Sequence, residues 1–575
     1  MTAPSLDTHA ATPPTDVPLS TRSGDADRSR HAQWIAVAWM TAHALMATPA
    51  FAQTERSPQP ASTEVPASPP KRTRVKEVRV TGNTLLPVSD IDAALARLLG
   101  ERSMADLEQA ALAVQALYSR AGYGAVLVYM APQSMDDGIV TITVLEGRIS
   151  RTPVSGNKQF SDANIRAAVP ALRLGETPRV DVLDVQVEMA NENPSRQIQL
   201  TLEPGQATGE VEGKLVVTEA PVQRWSVDVD NRGNARTGRL RSSLGWQHAN
   251  MFDRDHVLSA QVQTSPDNPS AVQVFSGNYR LPLYEPRVAV DLYAAYSNVR
   301  PGAVPTLAGD LQFNGRGRVF GAKATRYLPR LGEFDQRVGM SLDSRDYLND
   351  CTVVGLPPGA CGPAGENISV QPLSIDYLLQ RSGARSMWMT ASLVHNLQLG
   401  GTSSTDSSFG NARFGSKPRF SLLRLTTGAS AAISSAMVFS VRAVAQWTAD
   451  ALISSEQFGV GGATSVRGYE ERELAGDRGG FASMELSSVD IAKPLGLDHS
   501  KLRVLSFIDI GWAGNRLGTP CLGNNDSCVI ASAGAGLRYG VERLQMQLLV
   551  ARALKTAAQT QRNDFKLHTT VSYEF

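Results

Sequence analysis

Between Pro221 and Phe575 the chain repeats one pattern: about ten residues of alternating apolar and polar side chains, then a polar stretch rich in Gly, Asp and Asn. The last segment, DFKLHTTVSYEF (564–575), shows it most clearly. Phe565, Leu567, Thr569, Val571, Tyr573 and Phe575 share one face, while Asp564, Lys566, His568, Ser572 and Glu574 share the other. Successive side chains on a strand point to opposite faces, so a period of two means strand. SAMVFSVRAVAQW (435–447) sets Met437, Phe439, Val441 and Trp447 against Ser440, Arg442 and Gln446. RVAVDLYAAY (287–296) sets Val288, Val290, Leu292 and Tyr296 against Asp291. No convincing helix pattern interrupts the region. Such segments are too many for one soluble sheet with a dry inner face, and their second face carries frequent charge. A water-filled lumen tolerates those charges, whereas a sandwich core does not. In lipid, only a closed barrel leaves no strand backbone unpaired. At about 22 residues per strand and turn, about 355 residues give about 16 strands. A β-rich fold with a transmembrane β-barrel over 221–575 is the expectation.

The N-terminus agrees with export. Arg28, Arg30 and His31 precede the apolar run WIAVAWMTAHALMA (34–47), and Ala50-Phe51-Ala52 follows. A charged region, a short apolar region and an A-x-A site mark a secretory signal over 1–52. Residues 53–74 hold Pro58, Pro60, Pro66, Pro69 and Pro70, so they read as a linker in which a helix is disfavoured. The cysteines fall in two close pairs, Cys351/Cys361 and Cys521/Cys528, each within a Gly/Pro/Asn-rich loop. In an exported chain that arrangement predicts two loop disulfides. Neither loop holds His or further Cys, so no metal site is expected.

Two α+β units lie between linker and barrel, at 75–147 and 148–220. In the first, VKEVRVTG reads as strand and turn, Ser89 and Ser103 as caps of two helices, and AVLVYMAPQ and GIVTITVLEG as strands. The order βααββ recurs less clearly in the second, through RISRTPVSGN, SDANIRAAV, VDVLDVQVEMA, QIQLTLEPG and GEVEGKLVVTEA. Two such units in succession form a tandem repeat.

Several function classes are disfavoured. The 56 basic and 55 acidic residues nearly cancel, which argues against a nucleic-acid partner held by its phosphates. There is no GxxxxGK[ST] loop and no GxSxG elbow, and the glycine-rich AGAGLRYG (533–540) lies on an expected strand with no helix behind it. Neither a catalytic constellation nor a cofactor is expected.

One stretch belongs to none of these elements: TSVRGYEERELAGDRGG (464–480). Val466-Arg467-Gly468-Tyr469, with Gly476-Asp477-Arg478-Gly479, resembles the long internal loop of the Omp85 superfamily. Within it the chain is most similar to the hemolysin/filamentous-hemagglutinin exporters, the TpsB outer-membrane transporters of two-partner secretion. Tyr118-Ser119-Arg120-Ala121-Gly122-Tyr123, Leu145-Glu146-Gly147-Arg148, Leu202-Glu203-Pro204-Gly205 and Asp230-Asn231-Arg232-Gly233 extend the likeness over nearly the whole chain beyond the signal. The resemblance implies that the two α+β units are periplasmic POTRA domains and that the loop near 459–480 folds back into the lumen. It implies that Arg467 meets Asp509 of FIDIG (507–511), an element that also supplies Phe507 and Gly511. Tyr573 and Phe575 then act as a C-terminal assembly signal read by the barrel assembly machinery. A partner exoprotein of the hemolysin, adhesin or contact-dependent toxin type would bind the POTRA units and leave unfolded through the barrel, without ATP. The barrel would sit in the outer-membrane lipid of a Gram-negative bacterium. A barrel insertase of the same superfamily is the alternative, and a passive porin is a weaker one.

Overall fold

The computed structural model describes residues 72–575 apart from 235–236, 307–308, 354–364, 518–519, 522–524 and 526. The expectations for the signal over 1–52, for most of the linker, and for Cys361 lie outside those residues.

The first unit folds around a three-stranded sheet. Strand Ile139–Glu146 is central, Glu77–Thr81 runs parallel to it, and Val126–Tyr129 pairs antiparallel on the other side as an edge. Burial alternates along IVTITVLE, as one half-covered face demands. Helix Met104–Arg120 covers that face with Leu107, Ala111, Val114 and Tyr118, all buried. Its start is a capping box: Ser103 accepts from the Asp106 N–H, and the Asp106 carboxylate accepts from the Ser103 N–H at 2.8 Å. The shorter helix, Val88–Leu95, corrects one expectation. Ser89 lies inside it, and Pro87 precedes it, because proline pre-sets the backbone for a helix start and the Pro87 carbonyl takes the Asp90 N–H at 3.1 Å.

The second unit repeats the plan. Strands Arg148–Arg151 and Val154–Ser155 run parallel to Glu210–Glu219, Arg196–Pro204 runs antiparallel to it, and helices Asp162–Ala167 and Val180–Ala190 pack on the sheet. Ile149, Phe160, Ile165, Leu183, Ile198 and Leu215 form its core.

From Gln223 onward the strands close into one antiparallel barrel. Among the described residues it has sixteen strands, taking Ile368–Val370 and Pro372–Arg381 as one strand interrupted at Gln371, since both pair with Phe334–Val353. The first strand, Gln223–Asp230, meets the last, Phe565–Glu574, over five residue pairs from Ser226↔Glu574 to Asp230↔Thr570. Trp225 and Phe575 add two backbone hydrogen bonds, each 2.9 Å. Phe275, Leu292, Leu393, Trp447, Ile508 and Leu567 are exposed on the outer wall, which suits lipid. The barrel region is not wholly free of helix, as its sequence had suggested. Asp406–Ala412 forms two turns between two wall strands, started by Thr405, whose hydroxyl accepts from the Ser408 N–H at 3.1 Å. Seven residues are too few for a 3.6-residue period to register.

The second unit docks on the near end of the barrel through buried charge. Arg196 donates to Asp255 at 2.5 Å, with both side chains almost fully buried, and the Tyr284 hydroxyl donates to the same carboxylate at 2.8 Å. On helix Val180–Ala190, Glu188 accepts from Arg337 at 3.0 and 2.8 Å. Burial pushes the Glu188 carboxyl up to about 7, against the pull of Arg337. An acid whose affinity for protons rises on docking favours the docked state at low pH. The gain is fully present below the ordinary value of 4.5 and is lost as pH rises through about 7. The amide protection factor across 180–190, that is, exchange corrected for its intrinsic pH dependence, is therefore expected to be higher at pH 5.5 than at pH 8, by up to about thirtyfold by that linkage. Glu188→Gln should abolish the difference; an unaltered pH response in that variant assigns it to another group.

Candidate functional site

The segment between strands Met437–Thr448 and Arg478–Ser488 does not stay outside the barrel. Short strands Phe458–Val460 and Leu474–Gly476 pair antiparallel and carry a turn toward the inner wall. Gly461 and Gly462, with φ of +114° and +101°, bend the chain there in a region that side chains rarely adopt. Val466 and Tyr469 are fully buried, in a cluster with Val460, Leu474, Ala513 and Ile530.

Arg467 is held on every side. Its Nε and Nη2 donate to the two oxygens of Asp509, both at 2.7 Å, and its backbone N–H adds a third bond at 3.1 Å. Ser483 Oγ donates to Asp509 at 2.6 Å and accepts from Arg467 Nη2 at 2.9 Å. Glu485 lies 3.4 Å from Nη1 and is itself gripped by Arg538 at 2.5 and 3.0 Å. The guanidinium carbon sits 3.3 Å from the centroid of the Phe507 ring, a cation–π stack. Asp509 is 0% exposed and Arg467 5%. A planar fork that grips a carboxylate with two parallel bonds while lying on an aromatic face suits arginine and not lysine.

The alternation of KLRVLSFIDIG explains the wall. Val504, Ile508 and Ile510 are exposed outward, while Leu505, Phe507 and Asp509 point inward and are buried. Register completes the site: Ser483 stands opposite Asp509, and Glu485 opposite Phe507. Gly511 on the same strand makes room for the loop. A Cβ there would lie 2.4 Å from Val460 Cγ1 and 2.7 Å from Val466 Cγ2. Gly468, at φ +91°, turns its N–H to His568 Nε2 at 3.0 Å, so that ring nitrogen is an acceptor. The Tyr469 hydroxyl lies 2.9 and 2.8 Å from the carbonyls of Ala531 and Lys555 and accepts from the Lys555 N–H at 3.1 Å.

The returning limb is fastened separately. Glu473 accepts from Thr560 Oγ1 at 2.9 Å and from the Thr560 N–H at 3.0 Å. Asp477, fully buried next to Gly476, accepts from Arg413, from the Leu452 N–H at 2.9 Å and from the Arg516 N–H at 2.7 Å. Burial works against its ionisation, but the bonds from Arg413, Arg516 and Leu452 outweigh it and hold the carboxyl below its usual range. Sequence reasoning had named Asp477 but not Arg413, Glu473, Ser483, Glu485 or His568. Inward register would have singled out Ser483 and Glu485 on strand Arg478–Ser488 and His568 on the last strand; Glu473 lies within the loop stretch itself, and Arg413 comes from a distant segment.

The remaining named residues lie apart from this site. Tyr573 and Phe575 stack outside the wall with centroids 6.0 Å apart. Cys521 and Cys528 are disulfide-bonded with Cα atoms 6.2 Å apart, while Cys351 lies on wall strand Phe334–Val353 and Cys361 is outside the described residues. Among the described residues no group of His, Cys, Asp and Glu is arranged to hold a metal ion.

Comparison with known proteins follows the same outline. The family of haemolysin secretion/activation proteins ShlB/FhaC/HecB matches residues 212–539, more than half of the chain. A ShlB-type POTRA domain matches 73–147. The outer membrane transporter CdiB of Escherichia coli O6:K15:H31 (strain 536 / UPEC) is 24% identical over 467 residues, spanning 76% of this chain and 72% of that protein. The heme/hemopexin transporter protein HuxB of Haemophilus influenzae (strain ATCC 51907 / DSM 11121 / KW20 / Rd) is 25% identical over 166 residues, 29% of each chain. Among solved structures, CdiB from Escherichia coli superposes with a TM-score of 0.75 at 18% identity, covering 95% of this chain and 97% of that one. CdiB from Acinetobacter baumannii gives 0.70 at 16% identity, covering 95% and 98%. At those identities the structural likeness is one of fold. The chain belongs to the haemolysin secretion/activation family ShlB/FhaC/HecB: it is an outer-membrane transporter of two-partner secretion, within the Omp85 superfamily, with its POTRA domains in the periplasm.

Proposed function

We propose that 75–147 and 148–220 act as two POTRA domains that receive an unfolded exoprotein and that the barrel over 221–575 passes it outward, with no ATP, cofactor or catalytic step. The loop held by Arg467 and Asp509 sets the state of the bore. Folding of the cargo outside makes the movement one-way. The cargo is a hemolysin, adhesin or contact-dependent toxin, and the barrel assembly machinery inserts the transporter into lipid with Tyr573 and Phe575 as its signal.

One observation supports the first unit as receiver. Strand Val126–Tyr129 is a sheet edge, and the backbone groups that face outward from it, the Val126 carbonyl and the Val128 N–H, are taken by the Gln115 side chain at 2.5 and 2.7 Å. Gln115 thus occupies the place of one residue of a neighbouring strand. Leu112, Leu127 and Tyr129 stand exposed around it. An incoming extended segment gains main-chain hydrogen bonds there by displacing one side chain. Val128→Pro removes the donor and blocks strand addition. It is expected to cut export at least about tenfold, since two or more main-chain bonds at about 1 kcal/mol each are lost. Secretion assays with a candidate partner exoprotein, on membranes carrying equal amounts of folded barrel, check it; undiminished export moves the receiving surface elsewhere.

A further inference from the structure

Arg467 fastens only the tip of the lumen loop. The incoming limb has its own buried charge, Glu456, eleven residues earlier. Its side chain is 1% exposed. Oε1 accepts from Arg345 Nη1 at 3.2 Å and from the Tyr347 hydroxyl at 3.0 Å, and Oε2 lies 3.7 Å from Arg424 Nη2. Arg345 and Tyr347 are on strand Phe334–Val353, the seventh of the wall, and Arg424 is on Ser421–Ala432, the tenth. The partners of the tip lie on a different arc: Ser483 and Glu485 on the twelfth strand, Asp509 on the thirteenth and His568 on the sixteenth. Apolar packing reinforces the first arc, where Leu452 and Ile453 join Val394, Phe409 and Leu422.

We infer that Glu456 is a second wall anchor, so that the lumen loop is a bridge pinned to two separate arcs of the bore. A buried carboxylate facing two guanidinium groups is costly to strip of its charge, because Arg345 then loses one of its two acids and Arg424, itself partly exposed, loses its acid. Arg345 keeps Asp343 at 2.6 Å, whereas among the described residues Arg424 would retain only the neutral Gln446 oxygen at 2.9 Å. Releasing the tip alone therefore leaves the incoming limb across the bore, and clearing it for a polypeptide requires both anchors to yield. Glu456 is a positioning residue: it acts on the loop and touches no cargo in this arrangement. The inference deepens the proposed role of the loop and rests on it only for the link to export.

Two reporter cysteines separate the anchors. Ser455→Cys reports the incoming limb and Ala463→Cys the turn near the tip, each read by its rate of labelling with a membrane-impermeant maleimide on whole cells, relative to the parent chain. Glu456→Gln is expected to speed labelling at 455 by about tenfold or more, as loss of a buried ion partner implies, and to leave 463 within about twofold. Arg467→Ala should do the reverse. Arg345→Gln, which alters the wall instead of the loop, should reproduce the effect of Glu456→Gln. In planar bilayers the Glu456→Gln/Arg467→Ala pair should conduct more than the sum of the single increments, since only the pair frees the bridge. Equal acceleration at both reporters would mean general loosening and would overturn the inference, as would unchanged labelling at 455 in both Glu456→Gln and Arg345→Gln with heat-modifiable, folded barrels. These readings need no cargo, so their outcome is separate from whether the loop governs export.

Discussion

Arg467→Ala is expected to reach the outer membrane as a closed barrel and to export its partner at least about tenfold less, the scale of losing one partner of a buried pair. The wall strands owe their pairing to backbone ladders that the substitution does not touch. The loop is another matter. Four hydrogen bonds converge on Asp509, three from Arg467 and one from Ser483, and the carboxylate is fully buried. Removing the cation strands that charge at a cost of about 3–5 kcal/mol, enough to displace a glycine-rich tip whose other ion pair, Lys566 with Glu470 at 2.8 Å, is partly exposed. An exposed pair would contribute only about 0–1 kcal/mol, so burial decides the size of the effect. Arg467→Lys keeps the charge but loses the fork and the stack on Phe507, and should export nearly as poorly. Heat-modifiable migration reports the barrel, and exoprotein in the medium reports export. Normal secretion by a folded Arg467→Ala barrel would remove the loop tip from the export mechanism.

Truncation of Tyr573-Glu574-Phe575 should lower the amount of assembled barrel by at least about tenfold, on the basis of the pairing it removes. The seam is the short side of the cylinder, with five residue pairs where its neighbour Leu544–Ala553 has nine with the same last strand. Truncation deletes the pairs Val227↔Tyr573 and Ser226↔Glu574 and both Trp225–Phe575 backbone bonds. Unpaired strand backbone in lipid is costly, and a barrel has no edge to spare. Phe575→Ala keeps the backbone bonds and removes only the ring, so comparing the two variants divides closure from recognition of the aromatic. Full assembly of the truncated chain would show that closure does not depend on these residues.

Much of the fold is legible in the sequence because it rests on local regularities. Period-two alternation in DFKLHTTVSYEF and KLRVLSFIDIG identifies strands and assigns each residue to lipid or lumen, since pleating is a property of one strand alone. Ser103 as a helix start was legible for the same reason, whereas Ser89 was not, because Pro87 competes for the same role within two residues. The Arg467–Asp509 pairing was not local. It came from a resemblance, and nothing in the spacing of 42 residues would have named that acid among the others.

The sequence by itself determined that the chain makes a wall with one apolar and one charged face, ahead of which stand two small α+β units. Only the tertiary structure decided which inward charges meet. Glu456 and Arg345 are 111 residues apart, Glu473 and Thr560 are 87, and Arg413 and Asp477 are 64. Alternation says that a side chain faces the bore, but not at what height or beside which partner. Those are set by strand stagger and by closure, which are properties of the whole cylinder and are absent from any segment of it.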